Sequence, residues 1–182
     1  NSPWVNVDEA EQWGIEADLR WYPVDDWMLY GGFTYAQVEF TDGEFPCTDP
    51  NQDPVGPDNR YNSCAADGLN GSEQPDFTAV LQTEYTFAQV LGDSDAYIGA
   101  LHAYRGEVEE IPGDTTGRLE LDSYGTLDLF TGLRSESWSV QVFAKNITDE
   151  DGVLSRRPVG MEYNELTMSA PRTVGVTANY NF

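Results

Sequence analysis

The last ten residues of the chain alternate strictly between apolar and polar side chains. A period of two residues is typical of a β-strand that has one apolar and one polar face. In a membrane-spanning barrel such a strand turns its apolar face outward to lipid. Because the pattern continues to a final aromatic residue, we predict a strand of this kind. Its apolar positions are Val174, Val176, Ala178, Tyr180 and Phe182.

The same alternation recurs along the chain and predicts seven strands in all. In the first of them, Trp13, Ile15 and Leu19 alternate with polar residues such as Glu16 and Asp18. No stretch approaches the roughly 20 apolar residues that a membrane helix requires, and the pattern needs no helix anywhere. The predicted strands are 12–22, 27–40, 76–88, 95–107, 119–131, 137–147 and 171–182.

The connections between these strands are short and long in turn. The short ones are 23–26, 89–94 and 132–137, and the longer ones are 41–75, 108–118 and 148–170. In outer-membrane barrels the periplasmic turns are short and the extracellular loops are longer. With the C-terminus on the periplasmic side, every longer connection is predicted to be extracellular. The fold class is therefore predicted to be all-β, an antiparallel transmembrane β-barrel.

Aromatic residues lie beside the short turns and predict a girdle at one membrane interface, where amphipathic rings prefer to sit. They are Trp21, Tyr22, Trp27, Phe87, Tyr97, Phe130 and Trp138. The opposite face carries charged residues in mid-strand, which a polar lumen tolerates. These are Glu16, Asp18, Arg20, Glu84, Asp128 and Lys145. The alternative is that the aromatic residues form the core of a soluble β-sandwich.

The charge of the chain limits its partners. Its formal net charge is −23, which argues against nucleic acid, because nucleic acid attracts surfaces rich in Lys and Arg. Hydrophobic residues make up 40% and aromatic residues 13% of the chain, so disorder is excluded. The charge fits extended loops in water, or a source rich in acidic proteins.

Two cysteines, Cys47 and Cys64, lie in the polar loop 41–75. We predict a disulfide between them, and hence an oxidising compartment such as the periplasm or the cell exterior. Closing a loop of this size stabilises a protein by about 3 kcal/mol in the chain-entropy model. A zinc site is the weaker alternative, because a closed site needs four ligands and His102 is the only histidine.

Three further features are weighed against simpler explanations. Arg156 and Arg157 are candidates for contact with an anionic ligand or with lipopolysaccharide phosphate, although pairing with acidic loops is the simpler reading. The acidic run 149–152 suggests calcium but lacks the regular ligand spacing of a known loop. His102 is expected to face the lumen or to lie at a strand end, rather than to act as a general base. We predict no catalytic, cofactor or metal site.

The C-terminal motifs resemble the end of a TonB-dependent receptor. Residues 142–150 read VFAKNITDE, residues 170–176 read APRTVGV, and the chain ends in Tyr-Asn-Phe. In that family the penultimate strand closes with an Asn-Leu-Thr-Asp-like motif and a Pro-Arg-Thr/Ser motif opens the last strand, which ends in Phe or Trp. Residues 27–35, WMLYGGFTY, also resemble barrel strands of these receptors.

The resemblance implies a barrel of about 22 strands closed by a plug domain. Residues 1–182 would supply roughly its last seven strands, with the plug and the earlier strands absent. Seven strands cannot close such a barrel, and open edges in lipid leave backbone groups unsatisfied. The chain is therefore expected to be a piece of a longer polypeptide. The alternating terminal strand would be the signal for the barrel-assembly machinery.

The function implied is TonB-dependent active uptake of a scarce ligand, of the ferric siderophore, vitamin B12 or glycan type, across the bacterial outer membrane. The partners implied are outer-membrane lipid and lipopolysaccharide, the TonB complex acting through the absent plug, the barrel-assembly machinery and a small-molecule ligand. Two alternatives remain: a passive outer-membrane porin or channel, and a secreted β-sandwich binding module. An enzyme is not expected.

Overall fold

The computed structural model describes residues 9–47, 62–72, 74–109, 120–159 and 163–181. Seven strands form one sheet, in the order β1-β2-β5-β6-β9-β10-β13. Every neighbouring pair is antiparallel. These strands are β1 (Glu9–Val24), β2 (Trp27–Asp42), β5 (Phe77–Leu91), β6 (Ser94–Arg105), β9 (Tyr124–Arg134), β10 (Trp138–Lys145) and β13 (Thr173–Tyr180). Each predicted strand therefore has a counterpart in the sheet, and the all-β fold class is confirmed.

Three two-stranded ribbons extend the sheet at one end, which we call the ribbon end; the opposite end, with the tight turns, is the turn end. The ribbons pair β3 (Glu44–Cys47) with β4 (Asn62–Ala65), β7 (Val108–Glu109) with β8 (Glu120–Leu121), and β11 (Val153–Val159) with β12 (Tyr163–Met168). Within 41–75, which the sequence predicts to be a polar loop, residues 44–47 and 62–65 pair as strands. Paired strands give polar backbone groups partners that an irregular loop would have to find in water.

The register of the sheet separates an apolar face from a polar one. Across the first four strands of the sheet, Leu19 lies opposite Gly31, Gly31 opposite Leu81, and Leu81 opposite His102. Side chains on the apolar face are strongly exposed: Val174 is 70%, Leu19 67% and Leu81 60% exposed. Soluble proteins rarely expose a contiguous apolar surface of this extent. Among the described residues no second large sheet covers this face, as a soluble sandwich formed by this chain would require.

Aromatic rings form a row across the apolar face near the ribbon end. Trp13 packs on Tyr35 with ring centroids 5.3 Å apart. Phe77 lies between Phe33 and Tyr104, with centroids 6.3 and 6.0 Å away. A second row lies near the turn end. It comprises Trp21, Trp27, Tyr85, Phe87, Trp138 and Tyr180.

The two rows are separated by the thickness of a barrel's apolar band. From Phe77 to Phe87, strand β5 advances ten residues. At about 3.3 Å per residue and a tilt of about 40°, ten residues span about 25 Å along the barrel axis. The apolar band of outer-membrane barrels is about 25 Å tall. The apolar face therefore matches a bilayer in height as well as in composition.

Three residues lie on a different face from the one the sequence predicted. Tyr97 and Phe130 lie on the polar face and do not belong to the girdle; Tyr97 is buried. His102 lies on the apolar face, opposite Leu81 and Leu127, and not in the lumen. Alternation fixes which residues of a strand share a face. These three residues lie on the same face as the residues two positions away, whatever their own polarity.

His102 is accommodated on the apolar face by local contacts. Its Nδ1 donates to the backbone oxygen of Thr126 at 3.0 Å. Its ring lies over Gly125, where an added Cβ would come within 2.8 Å of Cε1. One polar atom of the ring is thereby satisfied by the neighbouring strand. This arrangement supports a packing role for His102.

Strands β1 and β13 form the two edges of the sheet, and in the described part of the chain they are not paired with each other. The sheet is therefore an open wall and not a closed barrel. Among the described residues, no helix is long and apolar enough to cross a membrane.

Candidate functional site

Arg134 is the centre of a polar network on the polar face near the turn end. Its Nη1 lies 2.8 Å from Oε1 of Glu84, and its Nη2 donates to Oγ1 of Thr86 at 2.6 Å. Its guanidinium stacks 4.9 Å above the ring of Tyr97. The side chain of Arg134 remains 43% exposed. Because water screens a partly exposed pair, this ion pair contributes only modestly to the stability of the fold. The network joins β5, β6 and β9 side by side.

Tyr97 extends this network to β10. Its hydroxyl donates to Oε1 of Gln141 at 3.2 Å, and its backbone oxygen accepts from the Thr131 hydroxyl at 2.7 Å. Gly132 makes room for the phenol, because a Cβ there would lie 2.7 Å from the Tyr97 oxygen. The polar face at the turn end is thus held by hydrogen bonds across four strands.

Phenylalanine rings on the polar face cover glycines of neighbouring strands. The ring of Phe130 covers Gly99 so closely that a Cβ at that glycine would overlap it. Phe143 covers Gly175 in the same way, with its Cζ 2.5 Å from the position of an added Cβ. Aromatic rings over glycines keep lumenal rings against the wall and strengthen the register.

Asn146 connects the end of β10 to the start of β13 and is almost fully buried. Its Nδ2 donates to the backbone oxygens of Glu150 and Ala170, both at 2.9 Å, and its Oδ1 accepts from the Glu150 N–H at 2.9 Å. Its own N–H donates to Oδ1 of Asp128 at 2.8 Å. With φ of 48°, Asn146 occupies the left-handed region, which asparagine tolerates better than most residues.

Arg172 completes this junction by binding Asp149. The Asp149 carboxylate accepts from the Arg172 backbone N–H at 3.0 Å and from its Nη2 at 3.2 Å. The two motifs of the family resemblance therefore contact each other directly, and their role in this chain is structural. The Asp149 carboxylate suggested for calcium is engaged by Arg172. Among the described residues, no group of three or more His, Cys, Asp or Glu side chains could hold a metal ion.

A cavity of about 520 Å³ opens on the polar face near the ribbon end, below the base of the β11–β12 ribbon. Arg105, Tyr124, Asp128, Phe143 and Lys145 contribute to its wall. A neighbouring cavity of about 530 Å³ has a different character. Its charged lining residues are Glu39, Asp76 and Glu107.

The sequence-predicted site residues divide into those the structure describes and those it does not. Val174, Val176, Ala178 and Tyr180 share the apolar face of β13, and Phe182 lies outside the described residues. The backbone register aligns Cys47 with Asn62 and Cys64 with Phe45 across the β3–β4 ribbon.

The side chains of Cys47 and Cys64 lie outside the described residues, so the disulfide stays a prediction. Arg156 and Arg157 are consecutive residues of β11. Their side chains also lie outside the description, and their proposed anion contact stays a prediction.

Sequence reasoning missed the network of Glu84, Tyr97 and Arg134. The alternation already assigned Glu84 to the polar face. It gave no sign that Arg134, which was assigned to a turn, ends β9 beside that carboxylate. Only the strand register brings together two residues 50 positions apart.

One antiparallel sheet with an apolar face of bilayer height and a charged opposite face is the wall of an outer-membrane type of β-barrel. The family model described as "TonB dependent receptor-like, beta-barrel" matches residues 1–147. The chain therefore belongs to the TonB-dependent receptor family, which is a family of transport receptors and not of enzymes. No curated protein matches the chain.

Solved structures share this fold. The ferric yersiniabactin uptake receptor FyuA of Yersinia pestis matches 95% of the chain and 24% of its own length, with a TM-score of 0.70 and 16% identity. The ferripyoverdine receptor of Pseudomonas aeruginosa matches 95% of the chain and 20% of its own length, with a TM-score of 0.63 and 17% identity. The ferric-catecholate import receptor Fiu of E. coli K12 matches 93% and 20%, with a TM-score of 0.60 and 22% identity. The chain spans between a fifth and a quarter of the length of these receptors.

Proposed function

We propose that this chain forms part of the barrel wall of an outer-membrane receptor that takes up a scarce ligand with energy supplied through TonB. The observation that carries the proposal is the match of 1–147 to the receptor barrel family, together with an apolar face of bilayer height. The polar face with its charged network then lines the transport path. A plug domain elsewhere in the receptor closes that path and contacts TonB.

A ferric siderophore is the ligand class to test first. The three structural neighbours are named for ferric yersiniabactin, ferripyoverdine and ferric catecholate. Vitamin B12 and glycans are the other ligand types of the proposal. The turn end faces the periplasm and the ribbon end faces the cell exterior, where 41–75, 108–118 and 148–170 meet the ligand.

Uptake by the full-length receptor in its own cells tests the proposal. Four strains are compared: cells with and without the receptor gene, each with and without TonB. Under iron limitation they are supplied with ferric siderophores that carry radioactive iron, or with labelled cyanocobalamin or labelled oligosaccharides. We expect uptake of one ligand class to require both the receptor and TonB. Uptake that needs the receptor but persists without TonB would establish a passive channel instead. Unchanged uptake of every ligand class without the receptor would refute the proposal.

The proposed orientation has a separate test on a matched pair of exposed acidic residues. Glu136 lies in the tight turn after β9, and Asp151 lies at the base of the β11–β12 ribbon. Each is replaced by cysteine in a background with Cys47→Ser and Cys64→Ser, and intact cells are treated with a membrane-impermeant maleimide. We expect labelling of Asp151→Cys and not of Glu136→Cys. The reverse result would invert the orientation.

The last strand is proposed to be the signal for the barrel-assembly machinery. Its apolar residues, Val174 to Tyr180 on β13, are strongly exposed along one edge of the sheet. Deleting Phe182 is expected to reduce the amount of receptor in the outer membrane several-fold, as measured by immunoblot of membrane fractions. An unchanged amount would show that assembly does not read this end of the chain.

A further inference from the structure

The cavity below the β11–β12 ribbon is built from the polar face of four strands and from residues of the Asn146 junction and the base of the ribbon. Arg105 is aligned with Tyr124 across β6 and β9, and Ala103 is aligned with Thr126. Lys145 and Phe143 reach the same cavity from β10, and Thr173 reaches it from β13. Since the polar face lines the transport path of the proposed receptor, the cavity opens onto that path, near the end at which a ligand would enter.

Two cations of this cavity form no ion pair with a carboxylate of the described residues. Among the described residues, the ion pairs are formed by Arg134 and Arg172, and neither Arg105 nor Lys145 takes part in one. Asp128 also lines the cavity, and its Oδ1 accepts the backbone N–H of Asn146 at 2.8 Å, so the charged lining residues are two cations and one carboxylate. The cationic group of Lys145 lies 5.5 Å from the ring of Phe143, a contact that leaves its positive charge uncompensated.

Unpaired cations are unexpected in so acidic a chain. The sequence has 9 basic and 32 acidic residues, and the neighbouring cavity carries three carboxylates, from Glu39, Asp76 and Glu107, and no basic lining residue. Cations are therefore concentrated at one side of the ribbon end. A concave site with an excess of one charge raises the local concentration of the opposite charge.

The remaining lining suits an organic anion better than a simple inorganic ion. Tyr124 supplies a phenolic hydroxyl, and Phe143 and Leu154 supply apolar surface. Arginine and lysine recognise carboxylate, phenolate and phosphate oxygens through charge-assisted hydrogen bonds. Ligand sites commonly combine apolar walls with a few polar groups that fix the orientation of the ligand.

We propose that this cavity is a binding site for a negatively charged group of the transported ligand, held by Arg105 and Lys145. The inference rests on the proposed uptake function and makes it more specific, since it requires an anionic ligand. Arg105 and Lys145 are its specificity-determining residues. Their charges favour the binding of anionic ligands in this cavity.

The charge preference of the cavity is measured without knowing the ligand. Thr126→Cys places a thiol in the cavity, and Ser123→Cys places one in the acidic cavity three residues away. Both are made in the full-length receptor with Cys47→Ser and Cys64→Ser. Outer-membrane vesicles are treated with sulfonatoethyl methanethiosulfonate, which is anionic, or with trimethylammonioethyl methanethiosulfonate, which is cationic. The ratio of the two modification rates reports the local potential.

We expect the ratio of anionic to cationic rates to be about tenfold higher at Thr126→Cys than at Ser123→Cys in 0.1 M salt. Adding Arg105→Gln and Lys145→Gln should lower the ratio at Thr126→Cys by about tenfold. Adding Arg105→Lys, which keeps the charge, should leave it within about twofold. Heat-modifiable migration on a gel confirms that each variant is folded.

Three results would overturn the proposal. Equal ratios at the two positions would show that the cavity has no preference for anions. A ratio that is unaffected by Arg105→Gln and Lys145→Gln would show that these cations do not create the preference. A folded Thr126→Cys receptor that reacts with neither reagent would show that another part of the receptor covers the cavity.

Binding of two ferric complexes tests the ligand class. The purified receptor is titrated with a ferric tris(catecholate) complex of charge −3 and with a neutral ferric tris(hydroxamate) complex. We expect tighter binding of the anionic complex and a loss of about tenfold with Arg105→Gln. Binding of only the neutral complex, unaffected by Arg105→Gln, would overturn the proposal. If neither complex binds, the iron form of the proposed function fails, whereas the modification rates still decide the charge preference.

Discussion

Asn146 holds the junction between β10 and β13, and replacing it should loosen that junction measurably. Asn146→Gly removes the 3.4 Å contact from the Thr148 hydroxyl and three side-chain hydrogen bonds of 2.9 Å, to the oxygens of Glu150 and Ala170 and from the N–H of Glu150. At a net of about 1 kcal/mol each, the expected loss is about 3 kcal/mol. Asn146→Ala removes the same bonds and, unlike Asn146→Gly, keeps a Cβ at φ of 48°, so its loss should exceed that of Asn146→Gly by about 1–2 kcal/mol.

The loss is local, so the assay must be local as well. The backbone N–H of Ser169 donates to the oxygen of Gly152 at 2.7 Å and reports whether the two sides of the junction stay together. Hydrogen exchange of the peptide containing Ser169, measured by mass spectrometry on the full-length receptor, should accelerate roughly a hundredfold in Asn146→Gly. Asn146→Ala should accelerate it further, by roughly tenfold.

Two controls separate this effect from general damage. Thr148→Ala lies in the same turn and removes only an exposed hydroxyl whose bond to Asn146 is 3.4 Å long, so exchange at Ser169 should change little. Exchange of the peptide 94–98 at the turn end should not change in any variant. The reasoning would be refuted if Ser169 exchange stayed within threefold of the parent in both Asn146 variants. An effect of Asn146→Gly that equals that of Asn146→Ala would remove the contribution of the backbone conformation.

Three further predictions concern the sheet. Val176→Arg puts a charge on the apolar face and should reduce the free energy of unfolding in lipid vesicles by about 2–4 kcal/mol, measured by urea titration. Its neighbour Thr177→Arg puts the charge on the polar face and should change this free energy by less than about 1 kcal/mol. Equal losses in the two variants would disprove the assignment of faces. Gly99→Val should lower the temperature at which half of the receptor loses its folded band on a gel, because the Phe130 ring occupies the space of a Cβ. Adding Phe130→Leu should restore part of this loss. A Gly99→Val receptor as stable as the parent would contradict the contact. Arg134→Gln should lower the free energy of unfolding by about 1–2 kcal/mol in the same urea titration, because the ion pair of Arg134 is partly solvated. A loss above about 4 kcal/mol would mean that a second region of the receptor covers this network.

The sequence alone determined the strands and most of their faces. Alternation is a local property, since the backbone turns successive side chains to opposite sides of any strand. The assignment of Glu84, Asp128 and Lys145 to one face and of Val174 and Val176 to the other therefore needed no partner strand. The family resemblance likewise came from short contiguous motifs at the end of the chain.

The sequence predicted the wrong face for residues whose polarity disagrees with their position in the alternation of the strand. Tyr97 and Phe130 were assigned to the girdle because aromatic rings beside turns prefer a membrane interface. Their positions in the alternation of β6 and β9 place them on the polar face, where glycines on neighbouring strands leave room for their rings. His102 was assigned by its polarity, although its phase follows Ile98 and Ala100 on the apolar face.

Only the tertiary structure decided which residues of different strands meet. Register depends on hydrogen bonds between strands and on the geometry of the turns, and no single segment contains that information. It joins Glu84 to Arg134, Asn146 to Ala170 and Asp149 to Arg172. It also places Arg105 and Lys145, from β6 and β10, in the wall of one cavity. The order of residues along each strand determines which side chains share a face. The sites on those faces depend on distances between strands, which only the folded sheet sets.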